Sequence, residues 1–174
     1  MRFVFDSTPL IHLAKAGLSW MIEALEGEKY TAPSVYREVV EAGLQRGLHD
    51  APIIHDLIKR GAVTVEDPPA GLLASMTENH RDLHRGEAEV IALARSLNAI
   101  AIIDDPAARR VAEVYGVRKE GSYAVILRAL LKGRITRQQA RVSLEKLVSS
   151  GWRCDVDLYR SILRSIEETL PTAQ

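Results

Sequence analysis

The 174-residue sequence has almost no cysteine, no long apolar run and no net charge. Its single cysteine, Cys154, excludes an internal disulfide and any cysteine-rich zinc site. No apolar run approaches the roughly 20 residues needed to cross a bilayer. The first residues do not resemble a signal peptide, so we expect a cytoplasmic protein that does not bind membranes. Equal numbers of basic and acidic residues, 23 each, argue against a surface coated by nucleic acid.

Several sequence signatures are missing as well. Neither a Walker A motif nor a Gly-x-Gly-x-x-Gly motif is present, so the role of a nucleotide-cofactor protein lacks support. Repeats, low-complexity tracts and linkers are also absent. With 47% apolar and 26% charged residues, the chain has an ordinary globular composition and enough length for one complete core. We therefore expect a single domain over residues 1–174, helical from about residue 122 to 170.

Short apolar runs alternate with segments of helical pattern, which predicts an α/β fold. The run at residues 99–103 is apolar throughout, as is typical of a strand buried on both faces. The predicted strands are residues 3–5, 29–32, 62–65, 99–103 and 117–119. A central, mostly parallel sheet is the expected arrangement.

Helical segments are bounded by proline, glycine and capping residues. Residues 43–52 resemble a loop. Gly121 and Ser122 are expected to cap the helix at 123, and Asp157 the last helix. Helices are predicted after Thr8-Pro9, after Ser19, and over residues 33–42, 53–59, 72–78, 87–97, 107–115, 123–132, 137–149 and 158–170.

Five acidic residues occupy positions that predict a shared site. Asp6 ends the apolar run 3–5, and Asp104 and Asp105 end the run 99–103. Glu38 and Glu87 lie inside predicted helices. The carboxyl ends of parallel strands share one edge of a sheet, where ligands bind. Like charges that converge there repel unless a cation neutralises them, so the pattern predicts a divalent-metal site and suggests phosphate chemistry.

Four of these acids also have a structural role open to them. Asp104 or Asp105 could cap the helix that Pro106 begins, a role that aspartate fills well. Glu87 stands in the first turn of its helix, where a negative charge suits the helix dipole. Glu38 could be exposed to solvent. Asp6 has the weakest structural alternative, because a carboxylate just past a buried strand needs a partner.

The other candidate residues are basic or titratable. Residues 1–100 carry a net charge of −4 and residues 101–174 a net charge of +4. A basic lobe beside an acidic cleft suits a polyanionic substrate, although solvated helix faces explain the same charges. Arg109 and Arg110 could bind phosphate or compensate the acids. His12 and His84 could be general bases, but an isolated histidine more often has a structural role. Glu89 is expected on the surface.

Four motifs occur in an order and at intervals that resemble the PIN-domain nucleases. The resemblance covers nearly the whole chain and is nearest to a compact prokaryotic branch related to the VapC-like toxins. It implies a PIN-like three-layer α/β/α fold with a central, mostly parallel sheet and a helical C-terminal end. The motifs are Asp6-Ser7-Thr8-Pro9-Leu10-Ile11, Pro33-Ser34-Val35-Tyr36-Arg37-Glu38-Val39-Val40, Gly86-Glu87-Ala88-Glu89-Val90-Ile91-Ala92-Leu93-Ala94 and Ile103-Asp104-Asp105.

The resemblance also implies an activity. The expected protein is a Mg²⁺- or Mn²⁺-dependent endoribonuclease, the toxin of a toxin–antitoxin pair, a homodimer, and a partner of RNA and of a small antitoxin protein. Carboxylates and substrate phosphate suffice to hold such an ion. The residues implied as catalytic and metal-binding are Asp6, Glu38, Glu87, Asp104 and Asp105, and those expected to contact the substrate are Ser7, Thr8, Arg109 and Arg110.

Two positions depart from the pattern of typical toxins. Glu87 stands where those toxins have Asp, and Asp104-Asp105-Pro106 replaces a Thr-x-Asp/Asn pattern. The alternative hypothesis is therefore a non-catalytic PIN-like module that binds RNA or a protein and keeps a residual metal site. A haloacid-dehalogenase-like phosphatase is disfavoured because Thr8 occupies the place of its second Asp. A response-regulator receiver is disfavoured because only 69 residues follow Asp105.

Overall fold

Five parallel strands form the central sheet of the computed structural model, which describes residues 1–169. The strands are β1 (Arg2–Phe5), β2 (Glu28–Thr31), β3 (Thr64–Val65), β4 (Ile100–Ile102) and β5 (Arg118–Glu120). Every pairing between neighbouring strands is parallel, and the order across the sheet is β3-β2-β1-β4-β5. Helices flank this sheet, which confirms the predicted α/β/α arrangement.

The helices fall into two sets of neighbours. The helices are α1 (Ser7–Lys15), α2 (Ser19–Ala24), α3 (Pro33–Tyr36), α4 (Gly43–Gln45), α5 (Asp50–Lys59), α6 (Ala70–Asn79), α7 (Arg85–Ser96), α8 (Pro106–Val114), α9 (Tyr123–Leu131), α10 (Arg137–Ser149) and α11 (Val156–Glu168). A π-helical segment, Arg37–Ala42, joins α3 to α4. Helix α7 packs against β1 and β4 and contacts α3, α6 and α8, whereas α1, α2, α5, α9 and α10 contact one another. Among residues 1–169, no helix combines the length and apolar character needed to span a membrane.

The core is built around β1 and β4. Phe3, Val4 and Phe5 are buried, and so are all three residues of β4. The register pairs Phe3 with Ile100 and Phe5 with Ile102. Both strands are apolar on both faces because helices cover the sheet from two sides.

The strand order reverses direction at β1. The chain steps outward from β1 to β2 and β3, then crosses to the other side of β1 to form β4 and β5. The Asp6 N–H donates to the Ile102 carbonyl (3.1 Å), which fixes the residue after β1 against the end of β4. Crevices at such a reversal point, outside the carboxyl ends of the strands, are where α/β proteins bind ligands.

Some element boundaries differ from those predicted. Residues 43–52 are not simply a loop, because α4 begins at Gly43 and α5 at Asp50. The last helix is capped by Asp155, whose side chain accepts a hydrogen bond from the Leu158 N–H (2.7 Å), and not by Asp157. Asp157 lies inside the first turn, where its backbone is already helical. The predicted end of that helix at residue 170 lies outside the described residues.

Candidate functional site

Asp6 lies at the carboxyl end of β1, buried to 4% exposure. Burial raises the pKa of Asp6 to about 7; a backbone hydrogen bond from Ser7 opposes the rise, and the negative charges of Glu87, Glu38 and Asp104 add to it. Within residues 1–169, Asp6 forms no ion pair. Asp6 therefore needs either a proton or a cation to be stable in this position.

Glu38 lies in the π-helical segment that follows α3. Its carboxylate is exposed, and its Oε2 accepts a hydrogen bond from the Ser7 hydroxyl (2.7 Å). Ser7 is the first residue of α1, so this bond ties the segment next to β2 to the residue after Asp6. π-helical turns occur frequently at functional sites because the extra residue redirects neighbouring side chains.

Glu87 stands in the first turn of α7 and is partly buried. Its Oε2 accepts a hydrogen bond from the His84 backbone N–H (3.0 Å), so Glu87 also has the structural role open to an acid at a helix start. Burial raises the pKa of Glu87; the His84 bond opposes the rise, and the charges of Asp105 and Glu38 add to it. Glu87 therefore lies within the electrostatic range of the other acids.

Of the two aspartates, Asp105 takes the capping role predicted for one of them, and Asp104 does not. Asp105 Oδ1 caps α8, because it accepts hydrogen bonds from the N–H groups of Ala107 (2.8 Å) and Ala108 (2.9 Å). Asp104 instead accepts two hydrogen bonds from Ser122, at Oδ1 from the backbone N–H (2.8 Å) and at Oδ2 from the hydroxyl (2.5 Å).

Ser122 stands at the N-cap position of α9, as predicted, but its side chain makes no capping bond. It is fully buried and turns its hydroxyl toward Asp104. A Cβ on Gly121 would lie 3.1 Å from Asp104 Oδ1, so the glycine allows this close approach. The sequence suggested a capping serine and contained no signal for the contact with Asp104, 18 residues away.

The five predicted acids share one electrostatic neighbourhood. The charges of Glu38, Glu87 and Asp104 act on Asp6, and that of Asp105 acts on Glu87. As placed, however, no three His, Cys, Asp or Glu side chains of residues 1–169 form a group that could hold a metal ion. Metal ligation by these residues therefore stays a prediction.

The chemistry of these side chains suits a hard divalent cation. All five offer carboxylate oxygens, the ligands that Mg²⁺ and Mn²⁺ prefer. Glu38, Glu87 and Asp104 are each oriented by hydrogen bonds from a neighbouring residue, which is how outer partners fix metal ligands. Asp6 is buried, and no cationic side chain of residues 1–169 forms an ion pair with it.

The predicted substrate contacts are only partly engaged within the protein. Arg109 Nη1 donates to the Ile103 carbonyl (2.9 Å) at the end of β4. Arg110 is exposed. Across residues 1–169 neither arginine pairs with an acid, so they do not compensate the carboxylates directly. Thr8 is half-buried at the start of α1. Substrate binding by Ser7, Thr8 and the two arginines remains a prediction.

The two histidines have structural surroundings. His12 Nδ1 lies 3.0 Å from the Ser150 hydroxyl, and burial lowers the pKa of His12 although the charge of Asp104 partly opposes this. His84 contributes its backbone N–H to the bond with Glu87. Within the described part of the chain, neither imidazole ring donates to one of the five acids.

The prediction that Glu89 is a surface residue was wrong. Glu89 is 3% exposed, and its carboxylate accepts hydrogen bonds from the Ser34 backbone N–H (2.8 Å), the Ser34 hydroxyl (2.7 Å) and Arg85 Nε (3.0 Å). Burial alone would raise the pKa of Glu89, but these donors outweigh it and hold the pKa below its usual range. The sequence did not indicate this because α3, which covers Glu89, lies 55 residues earlier in the chain.

The sheet is all-parallel, and acidic residues follow the carboxyl ends of β1 and β4. This arrangement is that of an α/β protein with a candidate site at the carboxyl edge of its sheet. The family model DUF3368, described as a PIN domain, matches residues 2–168, and the chain belongs to this PIN-domain family. The match confirms the family resemblance and the PIN-like fold over nearly the whole chain. The nearer relation to VapC-like toxins stays a prediction. No curated protein matches the chain.

Proposed function

We propose that this PIN-domain protein is a metal-dependent endoribonuclease that hydrolyses RNA phosphodiesters at the carboxyl edge of its sheet. One observation carries the proposal: Asp6 is buried at the point where the strand order reverses, its pKa is raised to about 7, and the charges that act on it from the described part of the chain are those of Glu87, Glu38 and Asp104. Such an arrangement is costly unless a cation completes it. Membership of the PIN-domain family, which is related to nucleases, supports the same conclusion.

The residues that would hold Mg²⁺ or Mn²⁺ are Asp6, Glu38, Glu87, Asp104 and Asp105. When bound, the ion would supply an activated water and neutralise charge on the phosphate. The protein's own contribution is orientation: Ser7 holds Glu38, Ser122 holds Asp104, and the His84 backbone holds Glu87. Burial of Asp6 keeps bulk water away from one side of the site.

Substrate contacts would come from residues beside the acids. Arg110 is exposed one turn after Asp105, and Arg109 is fixed near the end of β4 by its bond to Ile103. Guanidinium groups match phosphate oxygens in shape and charge. The Thr8 hydroxyl, in the first turn of α1, would donate to the phosphate beside Asp6, whereas the Ser7 hydroxyl already donates to Glu38 and would contact the phosphate only as a neighbour.

The biological role forms the wider part of the proposal. From the resemblance of its motifs, we propose a cytoplasmic, homodimeric toxin that a small antitoxin protein inhibits. An antitoxin arginine reaching the carboxylates would block the site. Co-expression with the product of a neighbouring gene should then restore growth, and light scattering should give the mass of a dimer. A monomer, or a chain without effect on growth, would contradict this part alone.

Cleavage of a mixed pool of structured and single-stranded RNA tests the activity. Purified protein is incubated with Mg²⁺, Mn²⁺ or EDTA, alongside Asp6→Asn and Asp104→Asn. The matched control is Asp50→Asn, which alters an equally buried aspartate on α5. We expect cleavage that requires the metal, disappears in both site variants and persists in the control.

The same experiment separates the non-catalytic alternative. If folded protein, free of any antitoxin, cuts no RNA in either metal but binds RNA equally well in EDTA, the enzyme proposal fails. The chain would then be an RNA-binding PIN-like module. If it neither cuts nor binds RNA, a protein partner becomes the remaining candidate.

A further inference from the structure

Glu89 supplies an N-terminal cap to a helix on which it does not lie. Helix α3 begins at Pro33, and its N-cap position is held by Ala32, which has no side-chain acceptor. The first N–H groups of a helix need acceptors from outside the helix. Glu89, on α7, provides one: its Oε2 accepts the hydrogen bond of the Ser34 N–H (2.8 Å).

A second set of bonds fixes the same contact. Glu89 Oε1 accepts hydrogen bonds from the Ser34 hydroxyl (2.7 Å) and from Arg85 Nε (3.0 Å). The Ser34 hydroxyl in turn accepts one from Arg37 Nη2 (2.8 Å). The carboxylate of Glu89 is almost completely buried. With three donors on its two oxygens, Glu89 is engaged in holding α3 and is not poised as a metal ligand.

The contact joins the two segments that carry candidate metal ligands. Glu38 follows Ser34 by four residues, and Glu87 precedes Glu89 by two. The two segments are also close, because a Cβ on Gly86 would lie 3.5 Å from Cγ2 of Val35 and 4.0 Å from its backbone N. A change at Glu89 would therefore alter the separation of Glu38 and Glu87 without touching either.

We propose that Glu89 is a positioning residue, which caps α3 from α7 and so sets Glu38 relative to Glu87 for metal binding. The metal-binding consequence rests on the proposed function; the docking of α3 does not. Partners that orient metal ligands without contacting the metal typically change its affinity by about 10- to 100-fold when they are removed.

Two measurements on the full chain test this role. Amide hydrogen exchange in EDTA reports the docking of α3, and a Mn²⁺ titration followed by electron paramagnetic resonance reports ligand geometry. The variants are Glu89→Ala, which removes the cap, Glu89→Gln, which keeps an acceptor for the Ser34 N–H, and Ser34→Ala, which removes only the hydroxyl. The control is Asp155→Ala, which removes the N-cap of α11 and leaves α3 and α7 intact.

Glu89→Ala is expected to speed exchange of the first-turn amides of α3 and to weaken Mn²⁺ binding at least about tenfold. Glu89→Gln should restore most of the wild-type exchange protection and most of the Mn²⁺ affinity. Ser34→Ala should give values between those of the wild type and of Glu89→Ala. Asp155→Ala should lower the melting temperature without changing Mn²⁺ affinity. If Glu89→Ala fails to fold, the exchange rates and Mn²⁺ affinities of Ser34→Ala and Glu89→Gln test the positioning role instead.

Failure of the positioning role can be distinguished from failure of the proposed function. Wild-type Mn²⁺ affinity and wild-type α3 exchange in the Glu89 and Ser34 variants would overturn the positioning role and leave the proposed function standing. A wild-type protein that binds no Mn²⁺ would refute the proposed function. Exchange in α3 would still decide whether Glu89 holds that helix: faster exchange in Glu89→Ala supports the docking, and unchanged exchange overturns it.

Discussion

At Asp6, burial and the charges of neighbouring acids act in the same direction. Both disfavour the ionised carboxylate, and together they raise the pKa of Asp6 to about 7. The sequence predicted that Asp6 follows a buried strand and needs a partner. The sequence did not indicate how strongly neighbouring charges would raise the pKa of Asp6, because Glu38, Glu87 and Asp104 come from distant parts of the chain. Asp6 is therefore the residue at which the pH and the stability of the protein are coupled.

The metal-free protein should lose stability as the pH rises toward 7. The folded state keeps the Asp6 proton up to about pH 7, whereas an ordinary aspartate releases it near 3.8. Between these values the folded state binds more protons, so raising the pH favours unfolding. The contribution of the Asp6 proton to stability is complete below pH 3.8 and is lost as the pH rises through about 7.

Urea denaturation in EDTA at pH 5 and pH 8 measures this effect. The free energy of unfolding of the wild type, relative to Asp6→Asn, should fall by about 2–3 kcal/mol between the two conditions, since a pKa unit corresponds to about 1.36 kcal/mol. The variant lacks the titrating group and corrects for the acids that do not interact with Asp6. Parallel pH profiles for the two proteins would contradict the prediction.

At the scale of elements, the continuous helical run from α3 through the π-helical segment to α4 contains a feature that the apolar spacing of the sequence did not predict. Pro33 correctly marked the start, and the buried residues Val35, Val39 and Val40 fit a helical spacing. An inserted π turn changes the register without changing the composition, so it was not predicted. The run also extends past the expected end at residue 42, because Gly43 lets it pack closely on α5.

Two helical glycines should respond oppositely to alanine. A Cβ on Gly43 would lie 2.7 Å from the Ala51 Cβ, so Gly43→Ala forces backbone movement and should lower the free energy of unfolding by roughly 1–3 kcal/mol. A Cβ on Gly71, in α6, meets nothing within 4 Å. Gly71→Ala should therefore raise the free energy of unfolding by about 0.4–1 kcal/mol, because alanine reduces the freedom of the unfolded chain. Thermal and urea unfolding of both variants would show the opposite signs; destabilisation of similar size in both would refute the close-contact explanation.

At the scale of the whole molecule, strand order in the chain was easier to predict than side-chain contacts. The apolar runs gave five strands within a residue or two, and the family match confirms the fold. Three of the bonds that shape the site join residues 18 to 55 positions apart: Asp104 with Ser122, Ser7 with Glu38, and Ser34 with Glu89. Such pairs depend on how helices pack, which short-range patterns do not encode.

The basic C-terminal half should contribute to RNA affinity through exposed arginines. Arg110→Gln, in an Asp6→Asn background that prevents cleavage, should weaken binding of all RNA sequences and reduce the slope of log affinity against log salt by about 1. The control is Arg2→Gln. Arg2 is the first residue of β1, at the end of the strand away from Asp6, and it is paired with Glu28. Fluorescence anisotropy over a range of NaCl concentrations measures both slopes. Equal slopes in wild type and Arg110→Gln would exclude a phosphate contact there.

The central place of β1 affects when the site can form during synthesis. β1 is translated before β4, its neighbour at Ile100–Ile102, and the Asp104 that follows β4 is held by Ser122. A nascent chain on the ribosome therefore cannot gather the acids around Asp6 until residues as far as Ser122 have been translated. Pairing between such distant segments is slow to form. Under the proposed ribonuclease function, this order of assembly would keep the partly made chain harmless to the message that encodes it.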